Sequence, residues 1–501
     1  MDPAPPTFRL TRFFILRLLG FVYFFAFLSL ARQVLPLIGQ HGLEPASKFL
    51  QDVQAQVGRG GGFVALPSLF WLRLSDGLLV AGAWTGLALS VVVLAGFANA
   101  ILLAVLWALY MSYVHIGQEW YGYGWEIQLL ETGFLAIFLC PLLDMRPFPK
   151  RPPPTIVLWL FRWLSFRIML GAGLIKLRGD PCWRNLTCLD YHFETQPIPN
   201  PLSRWFHFLP AGVHRGGVVL NHLAEVAAPW FVFAPGVFRT VAGCVIVAFQ
   251  IVLILSGNLS FLNYLTIIPA LACFDDAFWA RVMPVLAKRA RDHADIGISR
   301  AQRTVAFGLL ALVVILSVGP VANLLSPNQV MNTGFDPLDL VNTYGAFGTV
   351  GEERREIVFE GTADSVVTDS TRWVPYEFPY KPGDPMRRPG LCAPYQPRLD
   401  WSIWFAAMST PRHYLWTLHF VWKLLHDDPG TLSLLAGNPF PNAPPRFIRA
   451  ELYRYEFARP GEAGGAWWKR SKVGLWLPPL SVDEPEFRRV LEAKGWVRSA
   501  D

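Results

Sequence analysis

The chain has 501 residues, 53% of them hydrophobic and only 16% charged. Soluble globular proteins carry about 25% charged residues, so a wholly water-soluble enzyme is excluded, and an aromatic content of 14% excludes whole-chain disorder. The net charge of +7 is too mild for a nucleic-acid binder.

The charge is unevenly placed. Residues 1–325 hold 40 charged residues, or 12%, and residues 326–501 hold 41, or 23%. The expected architecture is a polytopic α-helical membrane bundle over 1–325, with outer loops at 36–76 and 178–217, followed by a soluble domain over 326–501.

The first span is expected at 13–33. It lacks a small-residue cleavage site and carries Arg17 and Arg32, so it reads as a retained span rather than a signal peptide. Gly58–Gly62 reads as a flexible loop. Gly77 to Gln118 is uncharged over 42 residues. As one helix at ~1.5 Å per residue it would be twice the ~30 Å hydrocarbon core, so it must fold back near Gly96 and Asn99. Spans carrying charge follow at 127–143 and 155–176, the second after a stiff Lys150–Pro154 connector. A candidate at 218–235 holds His222 and Glu225. Thr240 to Phe274 is uncharged and breaks at Gly257-Asn258 into two spans, and Thr304 to Leu325 makes one more. The total is about nine.

Three basic groups fall on one side with this count: Arg9 and Arg12; Arg146, Lys150 and Arg151; and the 281–303 connector with Arg281, Lys288, Arg289, Arg291, Arg300 and Arg303. The positive-inside bias makes that side cytoplasmic. The outer loops and residues 326–501 then face the endoplasmic reticulum lumen, or the periplasm if the membrane is a bacterial inner membrane.

Ionisable groups at membrane depth are costly and are candidate functional residues. They are Glu126 and Glu131, Arg162 and Arg167, Lys176, and Glu225, which shares a helix face with His222. Two readings stand. The carboxylates and bases neutralise one another across the bundle, or they line a polar cavity with an acid or base in it. Lys176 is the leading candidate for a desolvated base, although a lysine at a span end also snorkels to the interface. No elbow serine, zinc-protease helix, phosphate loop or dinucleotide fingerprint is present. His207, His214 and His222 are too irregularly spaced for a metal site, so none is expected.

Cys182 and Cys188, in PCWRNLTC on an outer loop, are expected to form a local disulfide. Zinc would need a second ligand pair, and the spacing is not that of a redox Cys-x-x-Cys. Cys140, Cys244 and Cys273 read as small hydrophobes within spans, and Cys392 has no evident partner. The surrounding loop is dense in specific chemistry, the mark of a binding loop, or else of a lid packed on the bundle's outer face. Its candidate client-binding residues are Asp180, Trp183, Arg184, Asp190, Tyr191, His192, Glu194, Pro199 and Asn200.

Beyond residue 326, REIVFEGTAD and RWVPYEFPYKPGD within 355–401 read as strands with turn punctuation. Residues 402–437 show helical spacing, and HYLWTLHFVWKLL is expected to be buried rather than laid on a membrane. ELYRYEFA at 451–458 alternates as a strand, and 485–496 closes the chain as a helix. The domain is expected to be α+β, with a β-sandwich-like sheet.

Several separated blocks resemble the lipase maturation factor family, in order: GQEWYGYGWEIQLLETGFLAIFLCPL at 117–142, the segment 173–203, NTYGAFGTV at 342–350, PGDPMRRPGLCAPYQPRLDWSIWFAA at 382–407, LLAGNPFPNAPPRFIRAELYRYEFARP at 434–460 and WWKRSKVGLWLPPLS at 467–481. The resemblance implies a multi-pass protein of the endoplasmic reticulum that helps secreted lipases, or other exported clients, reach an active fold. It implies a chaperone-like factor rather than a lipase, with 178–217 and 326–501 as client-facing surfaces; no cofactor is expected. AGLIKL at 172–177 also resembles a segment of the vitamin K-dependent γ-carboxylase, within the horizontally transferred transmembrane family, where the matching lysine is a base. That short likeness implies an alternative: a membrane-embedded enzyme with a lipidic ligand in a cavity near Lys176.

Overall fold

A computed structural model describes residues 6–291 and 296–497. The first span becomes α1 (Arg9–Ile38), a helix of 30 residues. Helix α2 (Ala46–Ala65) follows, kinked where Gly58 adopts φ 74°. The Gly58–Gly62 stretch is therefore helical, not the expected flexible loop: a kink at one glycine accommodates the turn, and the helix continues.

The long uncharged stretch folds back as anticipated. Ser75 accepts the Leu78 N–H to start α3 (Asp76–Ala95), which ends at Gly96 with φ 125°. Asn99 then accepts the Leu102 N–H at 2.8 Å to start α4 (Ala100–Ile116). A glycine at positive φ thus ends the backbone ladder and an asparagine side chain restarts it within four residues. Next come α5 (Gly124–Ile137) and, directly after the proline run, α6 (Thr155–Arg178).

The 178–217 segment is not an open loop. It holds three short helices, α7 (Pro181–Asn185), α8 (Leu189–Thr195) and α9 (Ser203–His207). Helix α10 (Ala211–His222) leads through a π turn at Leu223–Ala227 into α11 (Ala228–Phe231). Then follow α12 (Gly236–Ser256) and α13 (Leu262–Ala270), separated at the Gly257-Asn258 break. Helices α14 (Asp276–Val282) and α15 (Pro284–Arg291) begin the basic connector, whose residues 292–295 lie outside the described residues. Helices α16 (Arg300–Leu316) and α17 (Val318–Leu325) end the apolar region.

Among the described residues, five helical segments are long and apolar enough to cross a membrane: α1, α3, α6, α12 and the α16–α17 run. The expected count of about nine is therefore not met by length and composition. Helix α4 has 17 residues, α5 has 14 and α13 has 9, while 211–231 is interrupted by the π turn. At ~1.5 Å per residue, α5 spans about two thirds of a ~30 Å core.

At one end of the bundle the basic residues gather. Arg9 donates to the Pro149 carbonyl at 3.0 Å and Arg12 to that of Arg151 at 2.9 Å. Asp276 accepts the Leu10 N–H at 2.8 Å, tying α14 to the start of α1. The opposite end carries the short helices of 178–217 and the carboxy-terminal region.

That region is built on one four-stranded antiparallel sheet, ordered β2-β1-β3-β4, with β1 Arg354–Thr362, β2 Val374–Pro375, β3 Phe447–Phe457 and β4 Trp468–Leu480. In register, Arg354 faces Tyr455 and Glu356 faces Tyr453. A sandwich is expected from the sequence; among the described residues there is a single sheet. Helices cover it where a second sheet would lie: α18 (Arg398–Ala407) and α19 (Trp416–Leu425), with Phe359 of β1 edge-on to Phe420 at 5.1 Å. Helix α19 is the HYLWTLHFVWKLL segment, and Trp416, Phe420 and Val421 are buried. A one-turn helix α20 (Pro429–Leu432) follows it. The closing α21 (Pro485–Ala493) sets Phe487 against Trp422 at 5.6 Å. Strand β4 went unanticipated because it is an exposed edge: its Lys469, Arg470, Lys472 and Pro478 do not alternate as a half-buried strand does.

Candidate functional site

Lys176 lies at the end of α6 and is buried. Its Nζ donates to Glu225 Oε1 at 2.7 Å, to Glu225 Oε2 at 2.8 Å and to Asn221 Oδ1 at 2.9 Å. Trp183 lies over the ammonium, 4.8 Å from ring centroid to Nζ. The π turn sets Glu225 one wider turn past Asn221, and Asn221 Nδ2 donates to Glu225 Oε2 at 2.9 Å. All three Nζ hydrogens have acceptors, and the carboxylate of Glu225 offsets the lysine within the cluster. His222 stands apart from it, with Nε2 bonded to the Trp183 carbonyl at 3.0 Å.

Glu126 and Glu131 on α5 are not brought to Lys176. Glu126 is fully buried and pairs with Arg398 of α18 at 2.9 Å. It also accepts from the Tyr110 hydroxyl and, at 3.1 Å, from the Trp125 indole. Glu131 pairs with Arg167 of α6 and accepts the Tyr344 hydroxyl at 2.7 Å and the Asn342 N–H at 3.0 Å. Arg162 donates to the Ala272 carbonyl at 2.9 Å. The buried charges are thus paired or hydrogen-bonded, as burial requires. The partners Arg398, Asn342 and Tyr344 lie far along the chain, within resemblance blocks; only the tertiary fold ties them to α5.

Cys182 and Cys188 are joined in a disulfide with Cα atoms 4.8 Å apart. Asp180 caps α7 through the Cys182 N–H at 3.0 Å and accepts the Val350 N–H at 3.3 Å. Trp183 donates to the Phe347 carbonyl at 2.8 Å, Arg184 to that of Leu177 at 2.7 Å, and Asp190 bonds His214 at 2.9 Å. Tyr191 is half-buried. Glu194 accepts the Phe457 N–H of β3; burial pushes its carboxyl up to about 7. Burial, with Lys176 nearby, pushes His192 down to about 4. Pro199 accepts Asn258 Nδ2 at 3.3 Å, and Asn200 Oδ1 accepts the Leu202 N–H at 2.8 Å. Most of the candidate client-binding residues are therefore turned inward, and Arg184 and Asp190 are the exposed ones among them.

Between the bundle, these short helices and α18 lies a cavity of about 670 Å³. Lys176, Glu225, Trp183 and His192 line one part, and the walls include Met169, Phe249, Trp401 and Phe405. Two further lining residues are Gln250 of α12 and Asn263 of α13, which sequence reasoning passed over. A carboxamide inside an uncharged apolar run was the signal that would have found them. Among the described residues, no group of three or more His, Cys, Asp or Glu is placed to hold a metal ion.

Fold and site define a class: a multi-helix integral membrane protein with a sheet domain packed on one end of its bundle and a buried, charge-neutral polar cluster beneath the junction. Residues 10–281 match the lipase maturation factor transmembrane domain, and residues 340–478 match the lipase maturation factor C-terminal domain. Lipase maturation factor 1 of Bos taurus is 48% identical over 98% of this chain and 92% of its own length. The Homo sapiens protein of that name is 47% identical over 98% of this chain and 91% of its own. Lipase maturation factor 2 of Homo sapiens is 29% identical over 97% and 85%. No solved structure matches the chain. The chain belongs to the lipase maturation factor family.

Proposed function

We propose that this protein is a membrane-anchored maturation factor that assists secreted lipases to their active fold. The observation that carries this is the likeness to lipase maturation factor 1 over 98% of this chain and 92% of the bovine protein, membrane and carboxy-terminal regions together. The role is chaperone-like. A carboxylase-like reaction is disfavoured, because the amine that would act as base is occupied by Glu225 and Asn221.

The proposed membrane is that of the endoplasmic reticulum, with the basic end of the bundle cytoplasmic. The shorter apolar helices complete nine passages beside the five long ones, with protein neighbours shielding their ends. The domain boundary is placed near residue 325, and 326–501 lies in the lumen with the 178–217 segment. The client-facing surface is what these parts expose, including Arg184, Asp190 and edge strand β4. An extended client segment adding to β4 would use its free backbone groups.

The test is expression in cells that lack their own lipase maturation factor 1, together with a secreted lipase. Restored lipase activity in the medium is expected. Normal levels of the protein with no restored activity for any secreted lipase tried would overturn the reading.

A further inference from the structure

The cavity beside Lys176 has features that client assistance does not call for. Its volume of about 670 Å³ falls within the ~300–1,000 Å³ of sites that enclose one small ligand. Gln250 and Asn263 are 4% and 3% exposed and both line it. The Gln250 amide has only the Met169 sulfur, at 3.8 Å, as an acceptor, and the Asn263 side chain makes no hydrogen bond with the described residues. Both carboxamides open onto the cavity rather than onto protein partners, and so offer hydrogen bonds to the uncharged polar atoms of a ligand there.

The charges point the same way. Lys176 is neutralised by Glu225. The other charged lining residues, Glu353 and Arg355, pair with each other at 3.5 Å and are exposed. No uncompensated cation among the lining residues waits for a phosphate. Met169, Ile168, Phe249, Trp401 and Phe405 give the wall apolar and aromatic stretches suited to a hydrocarbon chain, beside polar side chains such as Gln128 and Thr266.

Besides the exposed carboxy-terminal side at Glu353 and Arg355, the cavity has a lateral flank. Leu220 of α10 and Val252 of α12 line the cavity and are also exposed. Around them Val213, Leu223, Ile251 and Leu255 form an exposed apolar surface. A portal in such a surface opens to lipid tails rather than to water.

We infer that this cavity is a binding site for a single-chain, uncharged amphiphile of the monoacylglycerol type, drawn from the bilayer, with its ester and hydroxyl groups on Gln250 and Asn263. No bond is made or broken. The inference goes beyond the maturation reading, and its test involves no lipase.

The full-length protein in phosphatidylcholine nanodiscs is photolabelled with a monoacylglycerol bearing a diazirine in its acyl chain, and the labelled peptides are mapped. Adducts are expected within 168–176 and 249–266, and excess unlabelled monooleoylglycerol should suppress them. Leu253→Trp, which fills the cavity, and Leu220→Trp, at the exposed portal where folding is spared, should each reduce labelling. Gln250→Leu with Asn263→Leu should reduce it about fivefold to tenfold, the worth of a hydrogen bond or so, without reducing labelling by a head-less diazirine alkane. Labelling confined to outward residues such as Phe238 and Val241, or unmoved by competitor and by both tryptophans, overturns the site. Equal labelling by a photoreactive lysophosphatidate overturns the uncharged head group.

Discussion

Glu126 and Arg398, 272 positions apart in sequence, form a fully buried ion pair at 2.9 Å between α5 and α18. The pair locks the carboxy-terminal region onto the bundle. The Arg398 guanidinium also lies 3.6 Å from the centre of the Tyr121 ring. Glu131, with Arg167, Asn342 and Tyr344, makes a second buried clamp on α5.

Breaking one partner of a buried pair leaves the other charge uncompensated. Arg398→Met is therefore expected to destabilise the protein by about 3–5 kcal/mol. Adding Glu126→Leu should recover much of that loss. Thermal unfolding in detergent micelles measures both, and an unchanged midpoint for Arg398→Met sinks the clamp.

The same logic separates structure from chemistry at Lys176. Lys176→Met alone strands Glu225 and lowers stability and yield. Lys176→Met with Glu225→Leu should fold and still restore secreted lipase activity. If that double variant accumulates normally, melts like the parent and yet fails to restore activity, the amine does more than neutralise Glu225.

Stability should also depend on pH through the carboxy-terminal junction. Glu194 is raised from 4.5 to about 7 by burial, and Asp400 from 3.8 to about 6. A raised carboxyl contributes stability that is full below its unfolded value and is lost as pH rises through the folded one. His192 and His207, both lowered from 6.5 to about 4 by burial, act oppositely and lose stability as pH falls through that interval. Stability contributed by Glu194 should thus decline between pH 4.5 and about 7. Glu194→Gln keeps an acceptor for the Phe457 N–H and should raise the melting midpoint near pH 8 by a few degrees, on the order of 1 kcal/mol. An equal shift at pH 5 and at pH 8 would argue against a titrating Glu194.

Asn185 begins an Asn-Leu-Thr sequon at the end of α7 and is exposed. In a eukaryotic host it should carry a glycan, read as a gel shift reversed by glycosidase and absent in Asn185→Gln. Glycosylation introduced instead at the basic end of the bundle would contradict the proposed orientation.

Composition and hydropathy along the chain determined the class of the protein, the division into a charge-poor and a charge-rich part, and the breaks at Gly96–Asn99 and Gly257-Asn258, because apolar length and turn residues act locally. The strands expected in REIVFEGTAD and at 451–458 and the helical reading of 402–437 were legible for the same reason, and they correspond to β1, β3 and the helices α18 and α19. The single sheet in place of a sandwich was not, since which elements cover a sheet face depends on packing partners such as Phe420 against Phe359. Nor was the fate of the buried charges. Sequence marks Glu126, Glu131, Lys176 and Glu225 as costly in a membrane; only tertiary structure decides which opposite charge meets each, because a desolvated ion is settled by whatever lies within about 3 Å in space, however distant along the chain. That contact gives Lys176 to Glu225, and it gives Glu126 to an arginine 272 residues away.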